Sequence, residues 1–251
     1  MKEVAMGTYK LVALDMDGTL LTEEKTISKA NKEAIFAALD KGVTVIFSTG
    51  RGVQSITPYA EELKLETPLV AVNGSEVWSA PHKLHKRTLF QADVIRRLHA
   101  LALKNDSWYW AYAVDGLFNR DQWTDDLDGQ QWLKFGYYTE EEDKLKAIRS
   151  EVEKWDLFEV TNSHVCNIEL NPKGISKASG VEEVCKMIGA DMSQVIAMGD
   201  SQNDIAMIRF AGLGVAMGNA QEEVKRIADY VTATNEEDGV ARVIEQFVLN
   251  A

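Results

Sequence analysis

"LVALDMDGTLL" (Leu11–Leu21) carries an apolar, strand-like segment directly into two aspartates separated by one residue, and then into a Gly-Thr turn. Two carboxylates at the mouth of a buried strand repel one another and lose hydration, so a cation is expected between them. The flanking sequence has the same form. "KLVALDM", "VTVIFST" and "PLVAVNG" read as short strands buried on both faces. Between them lie two helical patterns. Ser28 is placed to cap a helix reaching Lys41, with Ala34, Ile35, Ala38 and Leu39 as its apolar stripe and Gly42 at its end. A second helix is expected from after Arg51 to about Lys64. Strand and helix alternating on short links predict a doubly wound parallel sheet.

The C-terminal third repeats this logic. Val181, Val184, Cys185 and Ile188 share one helical face closed by Gly189. "QVIAMGD" and "GLGVAMG" read as strands, and "SQNDIAMIRFA" and "NAQEEVKRIA" as helices, the latter opened by a capping box of Asn219 and Glu222. The middle differs. "WYWAYAVDGLFNRDQW" alternates around an Asp-Gly hairpin signal and "LFEVTNSHVCNIEL" reads as a second antiparallel pair. Helices are expected around Val94–Leu103 and from a Thr139–Glu142 capping box to about Trp155. The organisation is an α/β Rossmann-like core over residues 1–81 and 171–251, with an α+β insert over residues 82–170.

The net charge of −12, with no Lys/Arg-rich stripe, argues against nucleic acid as a partner. No apolar run approaches the length of a membrane span, and "MKEVAMGTYK" holds no long apolar segment. Cys166 and Cys185 read as buried free thiols rather than a disulfide or metal pair. A cytoplasmic protein without membrane partners is expected, as a monomer or a homodimer; net charge does not decide between those two.

In an open α/β sheet, ligands bind beyond the carboxyl ends of the strands. The residues there are Asp15 and Asp17; Ser48, Thr49, Gly50 and Arg51; Asn73 and Gly74; and Asp200, Asn203 and Asp204. Lys177 opens a predicted helix facing the same cleft, with Lys173 a rival of poorer register. Hard oxygen donors without a His/Cys cluster point to Mg²⁺. With Mg²⁺ and Lys177 present, a phosphate dianion can approach a carboxylate nucleophile, which implies phosphoryl transfer to aspartate.

"DMDGTL", "STGR", the Lys177 region and "GDSQND" resemble, in order, the four motifs of the haloacid dehalogenase superfamily of phosphotransferases. "VAVNG", "VAMGNA" and "EEDGVA" further resemble its Cof-type phosphatases, whose cap domain is inserted after the third strand. The resemblance implies that Asp15 forms an aspartyl phosphate and binds Mg²⁺ through its other oxygen. It implies that Asp17 is the general acid and base, with its backbone carbonyl on the metal. Thr49 and Lys177 would hold the transferring phosphoryl group, and Gly18 and Thr19 would offer it backbone amides. Asp200 would bind Mg²⁺, and Asp204 would hold Lys177 or a metal-bound water. Gly50, Arg51, Asn73, Gly74 and Asn203 complete the expected substrate-binding set. "GISKASGV" departs from the usual Lys-Gly pair by placing Ala178 after the lysine.

Within that superfamily dehalogenases lack the second acid and ion-pumping ATPases replace it with threonine, so Asp17 implies phosphate hydrolysis. The expected substrate is a small phosphate ester, a sugar phosphate by default. Pyridoxal or ribityl phosphates are the alternative, because five of the six tryptophans fall in the insert. A phosphomutase and a non-catalytic phosphometabolite-binding regulator are the remaining readings. Period-2 spacing puts Trp108, Trp110 and Tyr112 on one strand face, read as packed against the insert's own helices. The sharper alternative is that they project over the active site.

Overall fold

A computed structural model describes residues 9–250. The first eight residues, read above as lacking an apolar segment, lie outside them. In chain order the elements begin with β1 (Leu11–Leu14), α1 (Lys29–Asp40), β2 (Thr44–Phe47), α2 (Val53–Glu62), β3 (Leu69–Ala71), β4 (Glu76–Ala80) and β5 (Lys83–Arg87). The insert follows with α3 (Ala92–Lys104), β6 (Trp108–Ala113), β7 (Gly116–Asn119), β8 (Trp132–Tyr138), α4 (Glu142–Lys154), β9 (Phe158–Thr161) and β10 (Asn167–Pro172). The chain then returns through α5 (Lys177–Ile188), β11 (Val195–Gly199), α6 (Ile205–Phe210), β12 (Leu213–Ala216), α7 (Glu222–Ile227), β13 (Tyr230–Val231) and α8 (Gly239–Ile244).

The core sheet is parallel, in the order β13-β12-β11-β1-β2. A parallel bridge between Ser48 and Val70 sets β3 beside β2. All four residues of β1 are fully buried, and their alternation serves two layers. Val12 and Leu14 pack with Ile35 and Val240, whereas Leu11 and Ala13 pack with Val181 and Met207. Burying each Val or Leu of this strand contributes about 1.5–3 kcal/mol, so a polar residue anywhere in β1 would cost one layer or the other. The chain leaves β1 for β2 and β3 on one side and returns to β11, β12 and β13 on the other. The switch point therefore falls between β1 and β11, directly beneath Asp15 and Asp200.

Local signals fix the ends of the key helices. The Ser28 side chain accepts from the Asn31 amide to open α1, and Gly42 follows its end with φ +81°. α5 opens on a reciprocal Ser176–Ser179 capping box and closes on Gly189 in the left-handed region. Two expected caps are corrected. The N-cap of α4 is Glu141, and Thr139 Oγ1 instead accepts the Glu141 amide in a local turn. Asn219 does not cap α7, whose N-cap is Gln221. Its side chain bridges loops instead, donating to the Gly18 carbonyl at 2.8 Å and accepting the Asn235 amide at 3.1 Å.

The insert forms an antiparallel sheet in the order β7-β6-β8-β10-β9, covered on one face by α3 and α4. That face has its own apolar core, including Tyr109, Ala111, Phe135 and Tyr137 with Leu98 and Ile148. Its other face turns toward the carboxyl ends of the core strands. A hairpin of β4 and β5, not expected from the sequence, extends β3 as an antiparallel sheet.

Candidate active site

Asp15 occupies the first position beyond β1, its amide bonded to the Met198 carbonyl of β11 at 3.0 Å. Lys177 is the first residue of α5, so the Ser176 cap fixes where its side chain starts. Its Nζ donates to Asp15 Oδ1 at 2.6 Å and to Asp204 Oδ1 at 2.7 Å. The other oxygen of Asp204 accepts the backbone amides of Asp200 and Ser201, each at 3.0 Å. Asp204 thus anchors the lysine to the β11–α6 loop. Asp200 accepts from Ser201 Oγ at 2.8 Å and from Thr19 Oγ1 at 3.3 Å. Lys173, the rival for the cationic position, lies on the surface and pairs with Asp156.

One oxygen from each of Asp15, Asp200 and Asp204 falls within a 4.8 Å cluster. Three carboxylates thus share one ammonium. Burial alone would lower the pKa of Lys177, but the charges of Asp15 and Asp204 outweigh it and raise the ammonium above its ordinary value. Burial lifts the Asp15 carboxyl well above its usual range against the pull of Lys177, and Asp204 and Asp200 add to the rise. Burial, with Asp204 adding to it, pushes Asp200 up to about 6. The excess negative charge and the all-oxygen donor set fit a hard divalent cation.

Asp17 points elsewhere. Arg51 Nε and Nη2 grip its two oxygens at 2.6 and 2.7 Å, and Lys25 Nζ adds a third bond at 2.8 Å. Thr49 is buried at the pocket floor and Gly50 borders the insert. Gly18 has φ +74°, and a Cβ there would lie 2.7 Å from an Asp200 oxygen, so only glycine lets the loop approach this carboxylate. Asn73 and Asn203 are buried and joined through Asn203 Nδ2 and Asn73 Oδ1 at 3.3 Å. Gly74 packs against the Ser176 carbonyl and does not border the cavity described next.

These groups open into a cavity of about 310 Å³ whose far wall is the inner face of the insert sheet. The reading of Trp108, Trp110 and Tyr112 as a face packed against helices is corrected. Tyr109, Ala111 and Ala113 occupy that buried face, and Trp110 and Tyr112 line the cavity that also holds Asp15 and Asp17. The indole of Trp110 lies across Gly136, its partner on β8, where any Cβ would overlap it. Two charged wall residues were not expected. Lys134 on β8 and Glu169 on β10 face the same cavity at 2% and 4% exposure. For Lys134 a signal was present, the lone charge in "WLKFGYY"; Glu169 stands in "NIELNP" between Asn167 and Asn171 at the same period, so no contrast marks it.

Comparison with known proteins agrees with this geometry. The family model of haloacid dehalogenase-like hydrolases matches residues 12–244. The chain is 46% identical over 240 residues to the 5-amino-6-(5-phospho-D-ribitylamino)uracil phosphatase YcsE of Bacillus subtilis, covering 96% of each protein. It is 29% identical to the pyridoxal phosphate phosphatase YbhA of Escherichia coli, over 94% of this chain and 98% of that one. A solved haloacid dehalogenase-like hydrolase from Bacteroides thetaiotaomicron superposes with a TM-score of 0.78 at 32% identity, over 95% of this chain and 99% of that one. The chain belongs to the haloacid dehalogenase-like hydrolases and is a phosphoric monoester hydrolase acting on small phosphorylated substrates. Among the described residues, no helix is long and apolar enough to cross a membrane.

Proposed function

We propose that this haloacid dehalogenase-like phosphatase is Mg²⁺-dependent and hydrolyses 5-amino-6-(5-phospho-D-ribitylamino)uracil, a planar ring joined to its phosphate by a short polyol. The observation that carries the reading is that Trp110 and Tyr112 line the same cavity as Asp15. Aromatic faces there suit a planar ring at the end of the substrate remote from the phosphate. The named activity of the 46% identical relative supports the same choice. Sugar phosphates, the default from sequence, become the second reading.

In this reading a carboxylate oxygen of Asp15 attacks phosphorus as the bond to the ester oxygen breaks, and Asp17, which must first exchange its ion pairs with Arg51 and Lys25 for a proton as substrate binds, delivers that proton to the departing alcohol. Asp17 then takes a proton from the water that attacks the aspartyl phosphate, releasing inorganic phosphate and restoring Asp15. Lys177, held by Asp204, offsets the charge of Asp15 and of the phosphoryl oxygens. Thr49, with the backbone amides of Gly18 and Thr19, would hold those oxygens, and Arg51 adds a second cation at their edge. Asp15, Asp200 and the Asp17 carbonyl would hold Mg²⁺, which supplies charge neutralisation for the approaching dianion. Asn73 and Asn203 would fix the loops rather than touch phosphate. The insert, from α3 to β10, would act as the cap that closes the cavity and excludes water.

The test is phosphate release from the ribitylaminouracil phosphate, pyridoxal phosphate and a hexose phosphate, with Mg²⁺ and with chelator, against Asp15→Asn. The expected result is metal-dependent release, absent in the variant, with the highest kcat/KM on the ribityl compound. A hexose phosphate ranked first would move the assignment to a sugar phosphatase. No release from any of them by the folded protein would favour a binding module.

A further inference from the structure

The phosphoryl chemistry leaves one buried ion pair in the cavity wall unused. Lys134 Nζ sits 3.3 Å from Glu169 Oε1, donates to the Gly50 carbonyl at 2.9 Å, and lies 5.1 Å over the Tyr112 ring. Glu169 also accepts from Ser163 Oγ at 2.9 Å and from Asn73 Nδ2 at 2.6 Å. Burial opposes its charge, but Lys134 and these donors hold its carboxyl below the usual range. Stability does not account for such a pair, because well-packed apolar side chains of the same volume serve a core as well or better. Its position does account for it: the pair borders the cavity together with the aromatic wall and the catalytic aspartates.

The unspent bonding capacity of this wall has a definite character. An ammonium carries three donors, and Gly50 and Glu169 use two of those on Lys134. A carboxylate has about four acceptor sites, of which Lys134, Ser163 and Asn73 take three on Glu169. Asn203, 6% exposed and also bordering the cavity, leaves its Oδ1 without a hydrogen-bond partner among the described residues. A donor beside an acceptor, both desolvated, matches a hydroxyl group, which is both at once.

We propose that Lys134 and Glu169, together with Asn203, bind the hydroxyl groups of a polyol between the phosphate and the rest of the substrate, and so select hydroxylated phosphate esters. This rests on the phosphatase reading of the site and deepens it by assigning the residues that choose the linker. A buried wall built to bond hydroxyls rejects an analogue lacking them, because its own polar groups are then left desolvated and unpaired.

The experiment compares kcat/KM for ribitol phosphate and for pentyl phosphate, an ester of equal chain length without the extra hydroxyls. Wild-type enzyme is expected to prefer ribitol phosphate by about 10²-fold or more. Glu169→Gln is expected to lower that ratio about tenfold or more. Where a single change leaves an unpaired buried charge and the variant fails to fold, the double variant Lys134→Met with Glu169→Leu removes both charges and is expected to erase the preference. An undiscriminating wild type, or a ratio unchanged in the folded variants, overturns the assignment. The ratio is independent of the ring, so poor turnover of the ribitylaminouracil phosphate would sink the substrate proposal and leave this one standing.

Discussion

Arg51 holds Asp17 at both carboxylate oxygens, Nε to Oδ2 at 2.6 Å and Nη2 to Oδ1 at 2.7 Å, so the second aspartate of the "DMDGTL" motif is turned to a cation rather than to Asp15. Burial acts to raise the Asp17 pKa, but the bonds from Arg51 and Lys25 outweigh it and bring it from 3.8 to about 2. A carboxylate depressed in the folded state stabilises the fold above its unfolded pKa and loses that stabilisation as pH falls through the folded value. The wild type is therefore expected to lose stability relative to Asp17→Asn between about pH 4 and about pH 2. Urea midpoints of the two proteins across this range test it. A gap that does not change with pH would remove the pairing from solution. The side chain is 44% exposed, so solvent screening keeps the effect modest.

Asp15→Asn is expected to abolish turnover and leave the fold intact. An amide of the same size is a very poor nucleophile, and Lys177 keeps its bond to Asp204. Asp17→Asn is expected to retain metal binding through its unaltered carbonyl while losing roughly 10²- to 10⁴-fold in rate. Steady-state kinetics with circular dichroism on both variants check these outcomes. Near-wild-type turnover by Asp15→Asn would refute the nucleophile, and a loss of only twofold in Asp17→Asn would remove acid-base work from that residue.

The crowding of Asp15, Asp200 and Asp204 makes a metal effect on stability depend on pH. Burial, reinforced by Asp204, raises the Asp200 pKa from 3.8 to about 6. A raised folded-state pKa favours the fold below the unfolded value, and this contribution is lost as pH rises through about 6, so the metal-free chain weakens across that range. A divalent cation bound there offsets the repulsion and adds stability by mass action, about 2.7 kcal/mol at 100 times its Kd. The rise in Tm on adding Mg²⁺ is expected to be larger at about pH 8 than at about pH 5, and to vanish in Asp200→Asn. Equal shifts at both pH values would separate the metal from this cluster.

The legible part of this molecule was the part whose chemistry follows directly from chain order. Asp15, Thr49, Asn73 and Asp200 each stand just beyond an apolar run, and a parallel sheet brings such positions to one edge whatever the loops do. Lys177 was legible because a helix start fixes its reach. The meeting of Lys134 with Glu169 was not, because it arises only through the pairing of β8 with β10, and no spacing along the chain encodes that register. The alternation in "WYWAYA" identified a face but not its direction. Both faces carry aromatics, and the one with Ala111 and Ala113 allows closer packing on the insert's helices, leaving Trp110 and Tyr112 toward the cavity. The β4–β5 hairpin escaped because "KLHKR" is charged and mostly exposed, with no period for a pattern to report.

Gly136 tests what the aromatic wall reads. It is the β8 partner of Trp110, and the indole occupies the space where its side chain would stand. It lies within β8 and outside the left-handed region, and the three atoms nearest to a Cβ there all belong to the Trp110 indole, so Gly136→Ala acts first on that ring. The displaced indole loses its face toward the cavity while Asp15, Lys177 and Asp200 keep their places on the core loops. Aromatic contacts are worth about 0.5–1.5 kcal/mol beyond area burial, so KM for the ribitylaminouracil phosphate is expected to rise about 2- to 12-fold. Ribitol phosphate, which has the chain but not the ring, serves as the comparison. An increase confined to the ring-bearing substrate supports stacking on Trp110, and equal increases for both would mean that the methyl distorts the strand and that the indole reads nothing.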